Sequence, residues 1–168
     1  MAKSKLTQLI LDNASLLNIG TSNLSGEKIL TAIAVVESDF GKCNRPRYEK
    51  SYDIGGTVYN LDKSGLYRGK WLEYGSLMAC SYSSFQIMYM VACELGYKSS
   101  PIDLSNDEIA ISWVIKLINR RILGVQNARL PQEIADAYNS GSCRDRFVPQ
   151  VYVGKFMVVY ADHKRYLQ

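Results

Sequence analysis

The run Ile29-Leu30-Thr31-Ala32-Ile33-Ala34-Val35-Val36-Glu37-Ser38 constrains this chain more than any other stretch. It reads as a helix, and Leu30, Ile33, Ala34 and Glu37 share one of its faces. An ionisable carboxyl therefore ends a stripe that otherwise points into a core. Burial beside apolar side chains disfavours a carboxylate and raises its pKa. A carboxyl that keeps its proton near neutral pH suits acid-catalysed bond cleavage. The alternatives are a Glu37 turned to solvent or one paired with a cation, since structural networks also perturb carboxyls.

Around this helix the chain reads as a single domain, residues 1–168, with no repeat or linker. At 47% hydrophobic and 21% charged residues it can bury a real core, which excludes a disordered or fibrous chain. Residues 4 to 17 read as a first amphipathic helix. Ser25 is placed to cap the Glu37 helix, with Leu24 and Ile29 as a hydrophobic staple and Gly41 as its stop. A helix is expected through Gln86 and Met88, ending at Gly96. Ser105 and Glu108 read as a capping box with Leu104 and Ile109 as staple, ahead of a core face of Ala110, Trp113, Val114 and Leu117. Pro131 opens a helix toward Tyr138, and Pro149 a final one carrying Tyr152, Val153, Phe156 and Tyr160. The stretch from Lys42 to Gly75 is the least helical part, and Tyr52 to Tyr59 reads as a short hairpin turning on Gly55-Gly56.

The formal charge of +4 is mildly basic, and stretches such as Lys42 to Arg47 suit an anionic polymer or simply a solvated surface. No aromatic-interleaved basic motif for nucleic acid is present. The single histidine, His163, argues against histidine–metal chemistry and against a Ser-His-Asp or Cys-His nucleophile, and it is expected on a solvated tail. Cys43, Cys80, Cys93 and Cys143 lack C-x-x-C spacing, which disfavours zinc. Cys93 reads as a buried thiol, while Cys43, Cys80 and Cys143 flank the cleft segments, where a bridge is open. The N-terminal stretch does not read as a secretory signal, and no segment has the roughly 18 apolar residues of a membrane span.

Downstream of Val36-Glu37-Ser38 lie Ser81-Tyr82-Ser83-Ser84-Phe85-Gln86-Ile87-Met88, Leu95-Gly96-Tyr97 and Ala137-Tyr138-Asn139-Ser140-Gly141. In this order they resemble the lytic transglycosylases with a soluble-transglycosylase, goose-lysozyme-like catalytic domain. That family carries E-S closing a helix, then G-L-M-Q-I-M, an L-G-aromatic stop and A-Y-N-A-G. Tyr152-Val153 and the apolar residues after them are similar to its closing helix. The resemblance covers roughly residues 25 to 160. Ser83-Ser84-Phe85 replaces G-L-M, and a φ above zero at Ser83 would carry a steric cost that glycine avoids. Tyr89 replaces the proline that often follows I-M.

The resemblance implies a mainly α fold of the α+β lysozyme-like kind, with a small β-hairpin or irregular insert beside the cleft. It implies cleavage of the β-1,4 bond between N-acetylmuramic acid and N-acetylglucosamine in peptidoglycan. Glu37 is then general acid and afterwards base, and the substrate's acetamido group stabilises the developing cation. Gln86 and Tyr138 become substrate-orienting groups, Tyr138 by a bond to Glu37 or to the acetamido group. Met88 and Ala137 become groove lining, and Ser81 stands for the family's serine after the glutamate. Of the tyrosines at 48, 52, 59, 67, 74 and 82, a minority are expected to stack on sugar.

The rival is a hydrolytic muramidase on the same fold, with Asp53 holding a water. A third reading is a wall-binding domain without catalysis, kept open by the substituted Ser83-Ser84 turn. No cofactor and no metal are implied. The expected partner is the glycan strand, with no nucleic acid, no stable membrane insertion and a monomeric chain. Its place of action is the bacterial wall or periplasm, reached by phage-type release or delivery.

Overall fold

The computed structural model describes residues 3–20, 23–143 and 150–168. At its centre lies helix α2, Gly26–Ser38, preceded by α1, Lys5–Asn13. Ser25 caps α2, its hydroxyl accepting from the Lys28 amide. Ile29, Leu30, Ala32, Ile33 and Ala34 are fully buried, so α2 is enclosed on nearly all sides rather than amphipathic. Burial of each large aliphatic among them contributes about 1.5–3 kcal/mol. The start of α2 lies so close to the 3-10 turn Ala14–Leu16 that a Cβ at Gly26 would collide with the Ala14 carbonyl. The helix ends three residues before Gly41: Asp39 is its left-handed cap, and Phe40 and Gly41 also have positive φ.

Three short strands form an antiparallel sheet in the order β1 (Arg47–Tyr48), β2 (Cys80–Tyr82), β3 (Ile87–Met88). Arg47 lies opposite Ser81, and Ser81 opposite Met88. The expected hairpin over 52–59 is absent. A 3-10 turn, Lys50–Tyr52, runs instead into helix α3, Thr57–Leu61, and then α4, Leu66–Tyr74. The glycines close this turn compactly: Gly55 takes φ 79°, and a Cβ at Gly56 would strike the Lys50 and Ser51 carbonyls. The insert beside the cleft is therefore largely helical.

Gln86 does not ride on a helix either. It closes the β2–β3 turn, and α5, Tyr89–Glu94, starts only after Met88. Helix α6, Asp107–Leu117, is capped by Asn106, whose side chain accepts from the Glu108 amide, not by Ser105. Leu104 is buried but Ile109 is exposed. The buried face of α6 is Ala110, Ile111, Val114 and Ile115, while Trp113 and Leu117 flank it. A π-helical stretch, Ile118–Val125, continues α6. Helix α7, Pro131–Ser140, begins on its proline, and α8 covers Gln150–Ala161. Pro149 lies outside the described residues. On α8, Phe156, Val159 and Tyr160 are buried, where the helix packs against α2 and α7.

His163 is not on a solvated tail. The last turn, His163–Tyr166, folds back on α2, and the buried imidazole places Nε2 3.0 Å from Glu27 Oε1. All four cysteines are free thiols, with Cys43 exposed and Cys80 and Cys93 buried. Among the described residues no helix is long and apolar enough to cross a membrane. The molecule is mainly helical with one small antiparallel sheet.

Candidate active site

A cleft of about 440 Å³ opens where the end of α2, the sheet, the π-helical stretch and α7 converge. Glu37, Arg47, Glu49 and Tyr52 line one part of it. Gln86, Ile87 and Met88 line another, Leu117, Arg121 and Ile122 a third, and Ala137, Tyr138 and Asn139 close it.

Glu37 enters from the last turn of α2 with its side chain only 7% exposed. Tyr152 of α8 donates a 2.7 Å hydrogen bond to its Oε1. Arg47 Nη1 stands 3.6 Å from Oε2, an ion pair longer than a close hydrogen bond, and it favours the ionised carboxyl. Burial pushes the Glu37 carboxyl above its ordinary range, and the Tyr152 bond and the Arg47 charge counter that only in part. Arg47 in turn donates a 2.7 Å bond from its Nε to Glu49 Oε1.

The turn between β2 and β3 carries the strain anticipated for a chain without glycine there: Ser83 has φ 72° and Gln86 φ 47°. Three helices hold it. Ser38, at the end of α2, bonds the Ser84 carbonyl at 2.7 Å and accepts from the Gly41 amide. Asp107, at the start of α6, accepts from the Ser84 amide and hydroxyl, each at 2.7 Å. Tyr138 of α7 donates to the Phe85 carbonyl at 2.8 Å. Ser83 Oγ accepts from the Phe85 amide inside the turn and faces the interior.

Gln86 lines the cleft, but its amide is bound internally. Its Nε2 donates to the Ser83 and Arg45 carbonyls, and its Oε1 accepts from Ser81. Ser81 is a buried support for that amide rather than a cleft residue. Tyr138 meets the Phe85 carbonyl and not Glu37; the tyrosine on Glu37 is Tyr152. Burial raises the phenol pKa of both tyrosines, so both stay neutral donors. Met88 and Ala137 line the cleft.

Asp53 is elsewhere. It is buried and accepts from the Tyr48 and Ser76 hydroxyls, the Trp71 indole and the Ile54 amide. Burial would raise its pKa, but these four bonds outweigh it and hold the carboxyl below its ordinary value. It serves as the hub that closes the insert. Of the six tyrosines, Tyr52 alone borders the cleft, stacked on Tyr67.

Sequence reasoning missed Arg47, Glu49 and Arg121 as cleft residues and Tyr152 as the partner of Glu37. Tyr152 was expected on the final helix, but nothing local ties it to Glu37. Arg47 read as surface charge, and no signal marked Glu49. Arg121 is turned by the π-helical stretch and held at 2.6 Å by Glu94, which also accepts from Tyr67. No family model matches this sequence, and no curated protein or solved structure matches it.

Proposed function

We propose that this chain cleaves peptidoglycan glycan strands as a lytic transglycosylase, with Glu37 as acid and then base. One observation carries the reading: a buried carboxyl of raised pKa on a cleft wall, its Oε1 engaged by a phenol donor. Since Oε1 accepts from Tyr152, the transferable proton belongs on Oε2. Met88 and Ala137 line the same cleft, in agreement with the family resemblance.

In the proposed reaction Glu37 protonates the glycosidic oxygen, and the C1–O bond breaks with its electron pair going to the departing N-acetylglucosamine. The muramyl acetamido oxygen bonds C1 and holds the positive charge. Glu37, now ionised, takes the proton of the C6 hydroxyl, and that oxygen displaces the acetamido oxygen from C1. The products are a 1,6-anhydromuramyl end and a free 4-hydroxyl; no water is consumed.

Hydrolysis is the second reading, and one observation favours it. Among the described residues Glu49 is the other carboxylate lining the cleft, and it shares the Arg47 guanidinium with Glu37. A hydrolase needs a second carboxylate to hold its water, and Glu49 replaces Asp53 as that candidate.

Mass spectrometry of products from purified peptidoglycan tests both readings. Anhydromuramyl ends from the wild type, reduced about 10²–10⁴-fold by Glu37→Gln, are expected for a general acid. Reducing ends, lost in the same variant and in Glu49→Gln, would replace the transglycosylase by a hydrolase. Binding to the wall without any product would leave a non-catalytic domain.

A further inference from the structure

The carboxyl of Glu37 is met by groups from four directions. Tyr152 of α8 bonds its Oε1, Tyr138 of α7 lies close by as a neutral phenol, Arg47 of β1 approaches Oε2, and Glu49 stands behind Arg47. The contact with Arg47 is the odd one. A half-exposed arginine next to a nearly buried carboxylate would ordinarily close to a bidentate pair, the strongest arrangement open to both. Here the gap is 3.6 Å, while the same guanidinium makes a 2.7 Å bond to Glu49 through Nε.

The main chain reinforces this placement. The Arg47 carbonyl lies 3.4 Å from the Ser81 hydroxyl, and the Gln86 amide reaches the Arg45 carbonyl, so the strand is tied to the turn beneath it. What remains adjustable is the arginine side chain, whose Nε donates to Glu49 Oε1. Were Arg47 to close on Glu37, a charged donor would occupy Oε2, the oxygen left to carry a proton once Tyr152 has taken Oε1.

We propose that Glu49 is a positioning residue that keeps the Arg47 guanidinium short of hydrogen-bond contact with Glu37 and so leaves Oε2 free to carry the proton. The inference deepens the reading of Glu37 as the acid and rests on it. Glu49 acts through Arg47 and does not touch the reacting atoms.

The test is a double-mutant cycle read by ¹³C NMR titration of the Glu37 carboxyl, in wild type, Glu49→Gln, Arg47→Gln and the double variant. Near-UV circular dichroism checks that each is folded. Glu49→Gln is expected to lower the Glu37 pKa, because Arg47 closes, and to move the alkaline limb of the pH–rate profile to lower pH. Arg47→Gln is expected to raise the pKa. On that background Glu49→Gln should give a clearly smaller fall, reflecting only loss of its own negative charge. Equal falls in both backgrounds, or none, would overturn the positioning role. Titrations as expected in a wild type that releases no product would defeat the glycosidase reading instead and leave the positioning intact.

Discussion

At the scale of single residues, the proposed chemistry turns on how one carboxyl is kept protonated and then put to use. Tyr152 donates to Glu37 and therefore favours its ionised form, against the burial that favours the neutral one. Removing the hydroxyl removes that counterweight. Tyr152→Phe is thus expected to raise the Glu37 pKa further and to move the alkaline limb of the pH–rate profile to higher pH, opposite to Glu49→Gln. Rates across pH on soluble muropeptide chains would check it, and an unmoved limb would mean that the bond is not kept during catalysis. Glu37 itself was legible because it is the ionisable residue that closes an otherwise apolar helical run, although that helix is enclosed on nearly all sides and carries no single stripe. Tyr152 was not legible as its partner, because 115 positions separate them and no local rule spans that interval.

Among the elements, the β2–β3 turn has the most to hold together. It contains two residues at positive φ that are not glycine, each costing roughly 1–2 kcal/mol in such a conformation. The bonds from Ser38, Asp107 and Tyr138 offset that cost. Ser38 also sits one residue from Glu37 and is 1% exposed. Ser38→Ala leaves the Ser84 carbonyl and the Gly41 amide without a partner, and is expected to destabilise by about 1–3 kcal/mol. Because the end of α2 then loses its tie to the cleft, kcat should fall while KM holds; denaturant unfolding and steady-state kinetics read the two effects. The motif order made this turn findable, but its geometry was read as the start of a helix. Met88, Ala137 and Tyr138 were placed in the cleft by the same motifs. The helical insert was missed because Tyr52 to Tyr59 has strand-like composition, whereas Gly56 and the four donors on Asp53 pull it into a compact turn. Local composition does not record either constraint.

For the molecule as a whole, the raised pKa of Glu37 is also a statement about stability. A buried carboxyl whose folded pKa exceeds its ordinary value of 4.5 carries no penalty well below that pH. The penalty grows as pH rises above it and is complete above the folded pKa, where the folded state must hold the charge. Glu37→Gln is therefore expected to melt higher than the wild type at neutral pH, by about 2–4 °C per kcal/mol of relieved penalty. The gain should vanish as pH falls toward 4.5. Calorimetric scans at several pH values check the sign, and a neutral-pH Tm unchanged by the substitution would mean that solvent reaches the carboxyl. The hydrogen bond from α8 to α2 has a consequence for synthesis. The ribosome releases α2 before α8, so until α8 is made Glu37 has neither the phenol nor the packed helix that encloses it. Until then it lacks the burial that raises its pKa. The proposed activity therefore has to wait until α8 docks on α2.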